Sequence, residues 1–140
     1  MPEKIVWSDS YKIGVPKIDN QHRQLFDLLE ALRLSLPRGL QNAAVGAALK
    51  ALVDYTQTHF AEEELFMRQI KFERLEEHAK LHRDLVGEVV AILQRLKSDE
   101  DYSALDLIAF LKHWIVDHMI DEDTKIGIAY REVVSSATSL

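Results

Sequence analysis

Five of the six histidines in this 140-residue chain stand where a helical core ordinarily places leucine. His22, His59, His78, His82 and His118 fall in register with the apolar residues around them, and so does Glu63. One histidine on an apolar stripe is usually a core residue satisfied by a hydrogen bond. Five imidazoles and a carboxylate converging in one core are different, because an unpaired buried charge is expensive. A cationic partner is required. His59 with Glu63, and His78 with His82, are spaced i,i+4, which at about 6 Å of helical rise lets both side chains lean toward one ion. The donors exceed what a single first-row metal takes, so two metals are expected. If each histidine binds one ion and carboxylates bridge, one metal takes three imidazoles and the other two. The second then keeps an open position for a small ligand. Cysteine is absent, which removes disulfides, thiolate ligands and thiol nucleophiles and leaves histidine and carboxylate as the strong metal donors.

Four helices are needed to bring these residues to one level. Only five Gly and three Pro punctuate the chain, and Gly14, Pro16, Pro37 and Gly39 fall between segments of helical periodicity rather than inside alternating ones, so the chain reads as all-α. The first helix is expected over 19–36, with Asp19 as N-cap and Pro37 and Gly39 ending it. The second spans 42–70, with Val45, Leu49, Leu52, Thr56, His59, Glu63, Phe66 and Ile70 alternating steps of four and three. The third spans 74–96 and the fourth begins near 103. Short connections make successive helices antiparallel, giving an up-down-up-down bundle. This topology sets the starts of the first and third helices beside the later parts of the second and fourth, and the histidines follow that rule. Residues 1–18 carry Trp7, Ile13 and Val15 amid Gly14 and Pro16, the pattern of an extended arm laid over the bundle. Past the metal-binding bundle of 19–123, residues 124–140 allow a short closing segment, and the whole of 1–140 reads as one domain.

Composition narrows the function. Apolar residues at 47% and charged residues at 29% are globular proportions, and no apolar run approaches the roughly 20 residues of a membrane span. A net charge of −6 without clustered Lys or Arg argues against a nucleic-acid partner. The first residues lack the features of a secretory signal, so a cytoplasmic location is expected.

The segments VWSDSYKIGVPKIDNQH, HFAEE, HAKLH and HMIDED resemble, in order, spacing and content, those of the hemerythrins, and of the bacterial single-domain hemerythrins in particular. The resemblance covers about 6–123. It implies a non-haem di-iron centre in which His78, His82 and His118 bind one iron and His22 and His59 the other. Glu63 and Asp123 would bridge the two together with an oxygen atom. It further implies reversible dioxygen binding at the two-histidine iron, hence an oxygen carrier, store or delivery protein rather than an enzyme. The alternatives are a di-iron enzyme (ferroxidase, peroxidase or nitric oxide reductase) and an oxygen or redox sensor. The Glu-x-x-His pairs of carboxylate-rich di-iron enzymes are absent, and the chain carries no signalling domain, so the carrier is preferred. Trp114 and Ile115, four and three residues before His118, serve either as plain core or as walls of an apolar dioxygen pocket. His113 is expected at the surface, and Glu62 and Glu64 on a solvated or partly solvated face. Two considerations disagree in the fourth helix: ideal α-helical spacing brings Glu122 onto the face of His118, whereas the resemblance selects Asp123, which requires the helix to loosen or bulge near 119–122 or Asp123 to reach in from one edge.

Overall fold

The computed structural model describes residues 6–98 and 103–138, and these form an antiparallel four-helix bundle with an N-terminal arm. Residues 6–15 are the described part of that arm; they are mostly extended, with one 3-10 turn at Asp9–Tyr11. Trp7 and Tyr11 pack edge-on and stacked against Phe26 of the first helix, with ring centroids 5.3 Å away in each case.

Helix α1 (Pro16–Ser35) starts three residues earlier than expected, because Pro16 presets the helical φ and sacrifices an N–H that the first turn leaves unbonded anyway. Asp19 is therefore not the N-cap. It lies one turn inside, buried, where its carboxylate accepts the backbone N–H groups of Ile13 at 2.7 Å and Gly14 at 3.2 Å. This ties the arm to the bundle. After α1, a 3-10 turn at Leu36–Arg38 leads to Gly39, whose φ of +98° suits a residue without a Cβ. Helix α2 (Ala43–Gln69) is capped by the Asn42 side chain, which accepts from Ala44 N–H at 2.8 Å. Its seam follows the expected rhythm through Glu63. Beyond it Met67 is fully buried, while Phe66 and Ile70 are only partly so. Helix α3 (Leu75–Ser98) follows a tight turn through Lys71.

Helix α4 (Ala104–Lys112) is capped by Ser103, which accepts from Asp106 N–H at 3.0 Å. It passes through two π-helical turns, His113–Asp117 and Met119–Asp123, into α5 (Thr124–Thr138). The fourth rod thus runs well past the donors, and the closing segment is a 15-residue helix rather than a short piece. Burial anchors its first half, while residues 131–136 are exposed. Ile126 is fully enclosed with Ile13, Val15, Ile18 and Met67, and Tyr130 packs on Phe66 at 5.4 Å. The main core, including Leu29, Leu32, Leu52, Leu107 and Leu111, fills the other end of the bundle. No helix among the described residues is long and apolar enough to cross a membrane.

Candidate metal centre

The level between the two apolar clusters is polar. His22 comes from α1, His59 and Glu63 from α2, His78 and His82 from α3, and His118 and Asp123 from the π-helical stretch that joins α4 to α5. All but His118 are buried, and the His118 side chain is only 8% exposed.

Their atoms divide into two groups. Glu63 Oε1 lies 2.9 Å from His78 Nε2 and 3.1 Å from His82 Nε2, while Asp123 Oδ1 lies 3.0 Å from His78 Nε2 and 3.1 Å from His118 Nε2. The other carboxylate oxygens face away: Glu63 Oε2 is 3.1 Å from His59 Nε2 and 3.5 Å from His22 Nε2, and Asp123 Oδ2 is 2.9 Å from His22 Nε2. Each acid therefore turns one oxygen to a three-histidine group and one to a two-histidine group. Within each group the possible ligand atoms lie within 4.8 Å of one another, a spacing that can surround an ion whose ligand bonds are about 2.0–2.2 Å long.

The fourth helix could not deliver this with α-helical geometry. Asp123 follows His118 by five residues and on an ideal α-helix would be rotated from it by about 140°. A π turn closes over five residues, so the stretch Met119–Asp123 returns Asp123 to the face of His118. Glu122, favoured by ideal spacing, is displaced to the flank, where it meets Lys125 Nζ at 3.2 Å.

Seven converging donors test whether a metal fits. His22 Nε2, His118 Nε2, Glu63 Oε2 and both Asp123 oxygens are buried without a hydrogen-bond partner of acceptable geometry. Two outer residues fix ring tautomers. Gln21 donates its amide N–H to the Glu62 carboxylate, so its oxygen must face His59 Nδ1, 2.7 Å away, and that nitrogen carries the proton. Glu64 likewise accepts from His82 Nδ1 at 2.9 Å. These contacts leave Nε2 of His59 and of His82 as the ring atom that faces Glu63, at 3.1 Å in each case. Five Nε2 atoms converging on two buried carboxylates need protons or cations between them, and the buried atoms left without a partner make this donor set fit metal ions.

Without metal, protons do part of this work. Burial, the largest single influence on His22 and His78, lowers their pKa, but Asp123 and Glu63 outweigh it and push both up to about 9. Burial likewise raises Glu63, and four histidines overcome it and hold that acid well below the usual carboxylate range. Asp123 is also lowered, because His118 and His22 prevail over burial and the neighbouring Glu63. A metal entering here displaces protons.

Trp114 and Ile115 both border a small pocket of about 10 Å³ beside His59, His118 and Asp123, together with Leu25, Thr56, Phe60 and Met119. That is just the size that admits one water-sized molecule. Phe60 stacks on His82 with ring centroids 3.9 Å apart, and Trp114 is anchored by its indole N–H to Leu85 O at 2.8 Å. His113 is exposed and bonds Asp117. Sequence reasoning missed Gln21, Phe60 and the inward reach of Glu62 and Glu64. The available signal was adjacency, since each is next to a donor and long enough to reach a group on a neighbouring helix.

Residues 13–127 match the family described as "Hemerythrin HHE cation binding domain". The chain is 33% identical over 119 residues to a bacteriohemerythrin of Stenotrophomonas maltophilia, covering 85% of this chain and 76% of that one. It is 34% identical over 125 residues to a myohemerythrin of Riftia pachyptila, covering 89% and 92%. Among solved structures, wild-type hemerythrin superposes with a TM-score of 0.79 at 26% identity, covering 89% of this chain and 95% of that one.

Proposed function

The chain belongs to the hemerythrin family, and on that premise we propose that it binds dioxygen reversibly at a non-haem di-iron centre, as a carrier, store or delivery protein. The observation that carries this reading is the division of the two carboxylates, each turning one oxygen toward the group of His78, His82 and His118 and the other toward the group of His22 and His59. In it His78, His82 and His118 would hold one iron and His22 and His59 the other, with Glu63 and Asp123 available to both. A pair of ferrous ions supplies, when bound, a reversible two-electron exchange with dioxygen.

The protein's part is confinement and placement. With one imidazole fewer, the two-histidine position keeps a site free for a small ligand. The pocket wall of Leu25, Phe60, Trp114, Ile115 and Met119 offers such a ligand an apolar space with no room for a bulky reductant, which favours carriage over turnover. Excluding water also protects the centre from losing its ligand in reduced form. The Nδ1 contacts of His59 and His82 hold two of the rings in the tautomer that points Nε2 inward.

The decisive experiment is anaerobic reduction of the iron-loaded protein followed by repeated addition and removal of oxygen, monitored by absorption. Uptake of about one dioxygen per pair of irons, released under vacuum, is expected. Rapid irreversible oxidation with turnover of an added substrate would favour the enzyme instead.

A further inference from the structure

The two groups of histidines differ behind the ligands as well as among them. His82 and His59 make the same kind of outward contact: each directs Nε2 at Glu63 from 3.1 Å and donates Nδ1–H to a side chain on its far side. The acceptors differ in charge. Behind His82, at 2.9 Å, stands the carboxylate of Glu64; behind His59, at 2.7 Å, stands the neutral amide of Gln21. The nearest negative charge on that side belongs to Glu62, one residue further out, where Lys17 Nζ approaches it at 4.0 Å.

We propose that Glu64 and Gln21 are positioning residues that make the two metal positions unequal, so that the three-histidine position fills first and holds its ion more tightly. This rests on the di-metal reading given above. An anion on Nδ1–H draws that proton toward itself and moves electron density onto Nε2, which strengthens the bond from His82 to its ion. An amide orients the ring of His59 without that gain. The donor count acts in the same direction, three imidazoles against two. Access does too: a pocket of about 70 Å³ bordered by Lys17, Gln21, Glu62 and Gln69 as well as Ile18, Leu65 and Phe66 lies behind the two-histidine side and reaches Gln21. The second ion is thereby the exchangeable one, and Gln21 sets how exchangeable it is.

The test is titration of the metal-free protein with Co(II) alone, followed by calorimetry and cobalt absorption. The wild type should take up two ions in two steps at least about tenfold apart in affinity. Gln21→Ala should weaken the second step by roughly 10–100-fold and leave the first unchanged. The double exchange Gln21→Glu with Glu62→Gln keeps the net charge and the hydrogen-bonded chain but moves the anion next to His59, and it should tighten the second step. Glu64→Gln should weaken the first step, narrowing the gap from the other side. Two indistinguishable sites in the wild type would overturn the proposal, as would a Gln21→Ala effect shared equally by both steps or a double exchange no tighter than wild type. If the wild type binds fewer than two cobalt ions, the di-metal reading itself fails; if it binds two and no variant alters the gap, only this proposal fails. Should Gln21→Ala not fold, the double exchange and Glu64→Gln, both nearly isosteric, decide the matter.

Discussion

Replacing Asp123 with Ala separates the register of this helix from the one its spacing alone suggests. In the metal-free protein Asp123 faces His22, His78 and His118 at 2.9, 3.0 and 3.1 Å. The rise of His22 and His78 from 6.5 to about 9 corresponds to roughly 3 kcal/mol for each ring, and Asp123 precedes Glu63 among the groups that raise both. Because the two acids share that effect, removing Asp123 is expected to cost on the order of 3 kcal/mol in all, similar to the loss on breaking a buried ion pair. That lowers the melting temperature by roughly 10 °C for a chain of this size. Glu122→Ala removes only a half-exposed contact to Lys125 and should cost under about 1 kcal/mol. The assay is calorimetry of both metal-free variants near pH 6, followed by iron content and the visible absorption of the diferric form. Asp123→Ala should lose iron and absorption, and Glu122→Ala should keep both. The reverse pattern would mean that the π turn at Met119–Asp123 is absent from the working protein and that Glu122 is the inward acid.

His22 and His78 bind protons more tightly folded than unfolded, so their contribution is complete below pH 6.5 and is lost as the pH rises through about 9; melting temperatures of the metal-free protein should fall across that window and those of the iron-loaded protein should change less. Removing iron at pH 7 should lower the melting temperature, since the ions bind donors that only the folded bundle assembles. Ile115→Gln should speed oxidation of the reduced, oxygen-loaded protein by admitting water to the pocket, measured as the decay of its absorption. Gly127→Ala should destabilise the chain by about 1–3 kcal/mol and make the arm more sensitive to protease, because a Cβ there overlaps the Ile13 carbonyl oxygen.

The grouping of the candidate donors was legible in the chain because helical periodicity converts residue spacing into faces. Histidines in leucine positions, two i,i+4 pairs and alternating helix direction were enough to place six donors at one level and divide the histidines three to two. What spacing cannot express is a departure from the α-helix. The inward turn of Asp123 depends on a π turn, and a π turn is selected by the convergence of three other helices on one point rather than by the sequence HMIDED itself. Asp19 carried a capping residue's identity, yet Pro16 started the helix earlier and the carboxylate was left to hold the arm. The docking of the first half of α5 likewise depends on what Ile126 and Tyr130 meet, namely the arm and the end of α2, which are remote in sequence. Gln21 and Glu64 show the same limit most directly. Ideal geometry turns each about 100° from its neighbouring donor, and only the packed bundle reveals that a long polar side chain can bend back to the ring of a histidine on another helix.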